Sequence, residues 1–191
     1  MSVEHLESSI PYSGIFVIKN LINDEDLKSI RDLIDKRANR TESWGESSNC
    51  RTKFLYVADL ADTDDEDFIT KIHQYLFVAS KIINRETFVD MKGFESIKLR
   101  KVHGPTRPHC DGIVDMMQDE YKVSHIRSIT IIIALNSDYE GGEICFPNHG
   151  VSLKLKAGEA IVFPPTWSHP HYTNDLNGTF RYTLSTWFNG Y

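Results

Sequence analysis

His109-Cys110-Asp111, the run Ile126-Arg127-Ser128-Ile129-Thr130-Ile131-Ile132-Ile133-Ala134-Leu135, the turn Gly141-Gly142, and His171 with Arg181 ten residues later make up the stretch whose reading decides the fold. An imidazole and a carboxylate two residues apart share one face if they lie on a strand. Both could then grip one metal ion. A third ligand from far along the chain would complete a two-histidine, one-carboxylate triad, which leaves coordination positions open and suits Fe(II). His171 is the candidate for that third place.

Working outward, residues 126–135 read as a well-buried strand because β-branched residues crowd between polar ends. A Gly141-Gly142 turn follows, then short strands at Glu143–Phe146, Val151–Leu155 and Ala160–Phe163. An Asn177-Gly178 turn leads into Thr179–Phe188. Strict alternation there sends Phe180, Tyr182, Leu184 and Phe188 to one side and Arg181 and Thr183 to the other.

From His109 to Phe188 the chain resembles the catalytic core of the 2-oxoglutarate and Fe(II)-dependent dioxygenases, especially the prolyl and lysyl hydroxylase branch. The resemblance rests on His109-Cys110-Asp111, Gly141-Gly142-Glu143, Phe146-Pro147, Gly158-Glu159, Phe163-Pro164, and His171 followed by Arg181. The ten-residue step selects His171 over His169 as the ligand and leaves His169 as its neighbour. The resemblance implies an α+β, mainly β fold: a double-stranded β-helix, or jelly roll, with N-terminal helices buttressing one sheet. It implies Fe(II), 2-oxoglutarate and O2, and admits ascorbate as an accessory reductant. His109, Asp111 and His171 would hold the metal. Arg181 would pair with the far carboxylate of 2-oxoglutarate, with Thr183 adding a hydroxyl and Thr130 and Tyr56 as further candidates for that pocket. Succinate, CO2 and a hydroxylated substrate would be the products.

A chain of 191 residues with 40% hydrophobic content can build one sizeable core, so one domain is expected, with helical support over about 20–90 and a catalytic β core over about 93–189. The net charge of −6 argues against binding a phosphate backbone. Nucleic-acid demethylases of the resembled superfamily carry a second Arg six residues after the first, where this chain has Trp187. Three cysteines cannot all pair, and the start lacks the basic and apolar regions of a secretory signal, which points to the cytoplasm. No apolar run is long enough to cross a bilayer. Strand alternation turns Cys110 away from the ligands, toward packing.

The N-terminal half opens with about a dozen loosely patterned residues and a strand at 14–18. Asn23 or Asp24 can cap a helix whose Leu27, Ile30 and Ile34 share a face. Arg40–Cys50 reads as a polar loop in which Trp44 could form a substrate wall or pack on the sheet. Arg51–Tyr56 reads as a strand, and Arg51-Thr52 resembles a pattern of prolyl hydroxylases. The acids between Asp59 and Asp67 precede a helix expected over 64–83, where they favour its dipole. A strand over Phe94–Val102 and a turn at Gly104-Pro105 lead to His109. Residues 112–125, with Met116, Met117 and Tyr121, read as a loop or lid.

Two other classes compete. A cupin-like metal-binding or structural module could use the same barrel, but would not need Arg181 and Thr183 facing inward. A zinc hydrolase would need a general base that no Glu or His is placed to supply. Within the oxygenases, Trp44, Arg51, Met116 and Trp187 are the substrate-contact candidates. The resemblance puts a prolyl side chain in a protein or peptide first, with lysyl residues and free amino acids close behind and another small molecule as a further alternative; the oligomeric state is open. Prolyl hydroxylases place aromatics just before the His-x-Asp, where this chain has His103, Thr106 and Arg107.

Overall fold

The structure is a computed structural model that describes residues 1–6, 13–43, 51–112, 114–116 and 123–190. Its elements are β1 (Ser2–His5), β2 (Phe16–Lys19), α1 (Asp24–Arg37), β3 (Arg40–Ser43), β4 (Arg51–Tyr56), α2 (Asp67–Thr87), β5 (Met91–Phe94), β6 (Lys98–His103), β7 (Thr106–His109), β8 (Val114–Met116), β9 (Val123–Ala134), β10 (Ile144–Phe146), β11 (Val151–Leu153), β12 (Ala160–Phe163), β13 (His171–Thr173) and β14 (Arg181–Gly190). Among the described residues the fold is mainly β, with two α-helices and antiparallel sheets. The larger sheet runs β1-β2-β12-β9-β14-β6-β4-β3, with β5 added to β14 and β8 to β9. The smaller runs β11-β10-β13-β7. Among the described residues no helix is long and apolar enough to cross a membrane.

Two apolar layers follow from period-2 alternation in the large sheet. On one face, Leu99, Ile131, Ile133, Leu184 and Phe188 pack against Leu27, Ile30 and Ile34 of α1 and Ile72, Leu76, Ala79 and Ile83 of α2. On the other, Val17, Ala134, Ile161 and Phe163 meet Ile144, Phe146 and Val151 of the small sheet. Each fully buried Leu, Ile or Phe contributes roughly 1.5–3 kcal/mol of transfer free energy, so the helices and sheets hold each other in place.

Helix α1 begins where Asn23 accepts the Asp26 amide at 2.9 Å. Its last turn, Lys36 and Arg37, pairs with Asp65 at 2.9 and 2.6 Å. Asp59 pairs with Arg40 at 3.0 Å. Only Asp67 of the acidic run sits in the first turn of α2. The acids therefore serve ion pairs to α1 and β3 more than the dipole of α2.

Several boundaries differ from the sequence reading. Residues 2–5 form a strand, and 40–43 form β3 rather than a loop, because both are edge strands that can pair without an apolar face. The strand expected over 94–102 is two strands, β5 and β6. Helix α2 spans 67–87, not 64–83. The expected loop or lid at 112–125 contains β8 and the start of β9, which pair with each other. Trp44, Met117 and Tyr121 lie outside the described residues; Met116 ends β8.

The Gly141-Gly142 turn requires glycine. Gly141 has φ +60°, and a Cβ there would lie 2.1 Å from the Asp175 carbonyl oxygen. That same oxygen accepts the Gly142 amide at 2.9 Å. Gly141→Ala should lower stability by more than the ~1–2 kcal/mol of a left-handed L-residue, read as a lower denaturant midpoint with unchanged slope.

Asp26 joins α1 to α2. Lys71, then Tyr75, hold its carboxyl below the usual carboxylate range, and burial, with Asp26 second, pushes the Tyr75 phenol up to about 12. A depressed folded pKa gives stability that is present above the ordinary carboxylate pKa and is lost as pH falls through the folded value. Asp26→Asn should therefore flatten the acid limb of a stability–pH curve measured by denaturant unfolding.

Candidate metal centre and cosubstrate pocket

Antiparallel pairing of β13 with β7 sets His171 directly opposite His109. Their ring centroids lie 4.4 Å apart. Asp111 stands beyond the end of β7, outside regular strand, so the shared-face argument for His109 and Asp111 does not apply. Its carbonyl instead accepts Arg127 Nη1 at 2.7 Å, and its Oδ2 accepts the Thr130 hydroxyl at 2.7 Å. These bonds aim Oδ1 to within 3.7 Å of His109 Nε2 and 3.9 Å of His171 Nε2. Ligand atoms of the three residues all fall within 4.8 Å of one another.

The donor set fits a metal. His109 Nδ1 lies 2.8 Å from the Arg107 carbonyl and His171 Nδ1 3.1 Å from that of His169. A carbonyl only accepts, so each Nδ1 carries the proton and each Nε2 offers its lone pair. Burial lowers the His171 pKa, which keeps the ring neutral and ready to ligate. The His169 ring turns elsewhere, to the Ser13 carbonyl at 2.7 Å and into a stack on His149.

A cavity of about 160 Å³ opens beside the triad and reaches Thr130, Arg181, Thr183 and Trp187. Behind Arg181 it continues into a smaller apolar recess of about 30 Å³ walled by Ile144, Leu153 and Ile161. Arg181 Nη1 donates to the Gly142 carbonyl at 2.8 Å, which fixes the guanidinium across the cavity floor. Thr183 is buried on the same strand face, two residues on.

Other sequence candidates sit differently. Thr130 lines the cavity as expected, and its hydroxyl donates to Asp111 Oδ2, so it also orients that carboxylate. Tyr56 does not line this cavity; it stacks edge-on with Phe54 and lies under Arg40. Arg51 points to the opposite face of the sheet, into a groove with Asp35, Lys101 and Phe180. Strand alternation is the cause, since Thr52, its neighbour, faces the metal side. Cys110 is exposed rather than packed, because β7 and its alternation end at His109. Sequence reasoning missed Arg127, whose guanidinium holds the Asp111 backbone, pairs with Glu95 at 2.7 Å and lies 4.1 Å from the Trp187 ring. Its place at the head of a β-branched run was the available signal.

A mainly antiparallel fold that gathers two histidines and a carboxylate around one point presents the donor set of a facial triad, which could hold a metal ion. Residues 98–189 match the family model described as the 2OG-Fe(II) oxygenase superfamily, and the chain is similar to the prolyl hydroxylase-like proteins of that kind. It is 38% identical over 63 residues to a PKHD-type hydroxylase of Paraburkholderia phytofirmans, covering 32% of this chain and 28% of the relative. A PKHD-type hydroxylase of Burkholderia ambifaria is 35% identical over the same length and shares. The match thus spans less than a third of these relatives' length. Among solved structures, the viral collagen prolyl hydroxylase vCPH of Paramecium Bursaria Chlorella virus-1, in complex with 2OG, is 18% identical with a TM-score of 0.67, covering 94% of this chain and 97% of that one. A prolyl-4-hydroxylase of Pseudomonas putida is 18% identical with a TM-score of 0.61, covering 93% of each chain. The fold is theirs. The superfamily implies Fe(II), 2-oxoglutarate and O2 for this site, and the triad could hold the iron.

Thr130→Val keeps the shape and removes the bond to Asp111. Fe(II) affinity, followed by anaerobic calorimetric titration, should fall by roughly 10–100-fold, the usual effect of losing a partner that orients a metal ligand.

Proposed function

We propose that this chain is a 2-oxoglutarate- and Fe(II)-dependent dioxygenase that hydroxylates an amino-acid side chain in the manner of the prolyl hydroxylases, releasing succinate and CO2. The two sheets would form a double-stranded β-helix within one domain spanning residues 1–191. One observation carries the reading: the His109, Asp111 and His171 cluster and the Arg181 guanidinium face the same cavity.

When bound, Fe(II) with 2-oxoglutarate and O2 supplies the oxidation that converts an aliphatic C–H to C–OH. His109, Asp111 and His171 would hold the ion from one side and leave its other side to the cavity. Arg181 would take the far carboxylate of 2-oxoglutarate in a bidentate pair, with the Thr183 hydroxyl beside it. The apolar recess around Ile144, Leu153 and Ile161 would keep water from that pair, which strengthens it. The hypoxia-inducible-factor peptide bound to the Trichoplax adhaerens prolyl hydroxylase, a structure 14% identical with a TM-score of 0.62, supports a protein or peptide substrate as one option.

Removing one partner of a buried charge pair costs roughly 2–5 kcal/mol, so Arg181→Ala should raise the 2-oxoglutarate concentration needed for half-saturation about 30-fold or more. Metal binding should persist, and Arg181→Lys should recover part of the affinity. Anaerobic titration of the Fe(II) protein with 2-oxoglutarate, followed by absorbance of the chelate, reads this. Unchanged affinity in Arg181→Ala would remove the cosubstrate assignment.

A further inference from the structure

The cavity does not end at the cosubstrate pocket. Strands β6, β4 and β3 carry the large sheet past the edge of the small one, and the face they present there is charged. Lys98 and Arg100 of β6 line the cavity together with Glu42 of β3 and Thr52 of β4. Register fixes their distance from the metal side. Thr130, which holds Asp111, is opposite Trp187; Ser185, two residues earlier on β14, is opposite Lys98; Thr183 is opposite Arg100. Two strand spacings, about 10 Å, thus separate the strand of Thr130 from the charged flank. That is the span of one small molecule reaching from one to the other.

Three ionised groups lie partly buried there. Glu42 accepts from Lys98 Nζ at 3.2 Å and stands 3.8 Å from Arg100 Nε. Side-chain exposures are 25% for Glu42, 18% for Lys98 and 16% for Arg100. A substrate seated on them would strip most of their remaining water. Removing water from charges is costly unless the ligand returns opposite charge or hydrogen bonds, and opposite charge returns more than the neutral groups of a peptide backbone. Among the described residues, Glu42 Oε1, Ser185 Oγ and Trp187 Nε1 are buried with no hydrogen-bond partner. One is a charged acceptor, one a donor that can also accept, and one a donor, and all three belong to residues that line the cavity.

Lys98 and Arg100 offer a carboxylate a place on the cavity wall, and the orphan Oε1 of Glu42 offers a hydrogen-bonding cation a place beside it.

Resting on the dioxygenase reading above, we infer that the substrate is a free α-amino acid, its carboxylate bound by Arg100 and Lys98 and its ammonium by Glu42 Oε1, with the side chain directed to the metal. Arg100 and Lys98 are then specificity-determining residues. An acidic side chain within a peptide offers the same carboxylate without the ammonium, and the experiment separates the two sources.

Protein loaded with Fe(II) and 2-oxoglutarate, kept free of O2, is titrated calorimetrically with the common L-amino acids. Their N-acetyl and C-amide forms and short peptides containing Pro, Lys, Asp or Glu are titrated in parallel. At least one free amino acid should bind, and amidation of its carboxylate should weaken it about tenfold or more, acetylation of its amine less. Arg100→Gln should weaken the same amino acid about tenfold or more, with Arg100→Lys recovering part. Glu42→Gln should weaken the free amino acid but not its N-acetyl form. Titration of each variant with 2-oxoglutarate reports whether the site is still folded. If the wild type binds 2-oxoglutarate but no free amino acid, or binds capped and free forms alike, or prefers an acidic peptide, the inference is overturned and the dioxygenase reading stands. If the wild type fails to bind 2-oxoglutarate, the dioxygenase reading fails first.

Discussion

The pairing of His171 against His109 across β13 and β7 is the constraint on which the rest of the site depends. Two imidazoles tilted by 52° with their ring centroids 4.4 Å apart would repel if both were protonated. Burial at His171 and the backbone carbonyls at both Nδ1 atoms keep them in one tautomer, with both Nε2 lone pairs aimed at the same point. Asp111 then closes the triad from outside the strand. Its carboxylate is held by a side chain of the large sheet, Thr130, so the metal centre is itself a bridge between the two sheets.

A second set of contacts builds the pocket around Arg181. The Gly141-Gly142 turn brings a backbone carbonyl to Arg181, and the left-handed conformation of both glycines makes that approach possible. The guanidinium is thus oriented before any ligand arrives, which lowers the entropic cost of pairing it with a carboxylate. The apolar layer between the sheets, with Ile144 and Ile161, also walls the recess behind Arg181. The packing that stabilises the fold and the dryness that would strengthen an ion pair at Arg181 are one arrangement.

The charged flank of β6, β4 and β3 has a different logic. Its residues alternate with core residues on the same strands: Leu99 and Leu55 enter the helix-side core while Lys98, Arg100 and Thr52 face the cavity. Helices α1 and α2 hold the back of these strands, so their front can carry ions without losing its place in the sheet. On the inference drawn above, a flank built this way would favour a small charged ligand over a neutral chain.

Local pattern alone determined much of this protein. The β-branched run expected over 126–135 lies in a strand that spans Val123–Ala134, and the alternation after Arg181 and the Asn23 cap stand where the sequence puts them, because each depends on neighbours within a few residues. Tertiary structure decided what depends on partners distant in the chain. The edge strands β1 and β3 have no apolar face to announce them and exist because a neighbouring strand offers hydrogen bonds. Thr130 reads as one more residue in a strand until the fold brings Asp111 to its hydroxyl, and Arg127 until Asp111 and Trp187 come within its reach. Arg51 and Thr52 are adjacent in sequence, yet the sheet sends one to the helix side and the other to the metal side. Glu42 and Lys98 are 56 residues apart, and their meeting is a product of strand order. A sequence states periodicity and chemistry; only closure of the sheets decides which side chains face each other, because that choice is made by packing at long range.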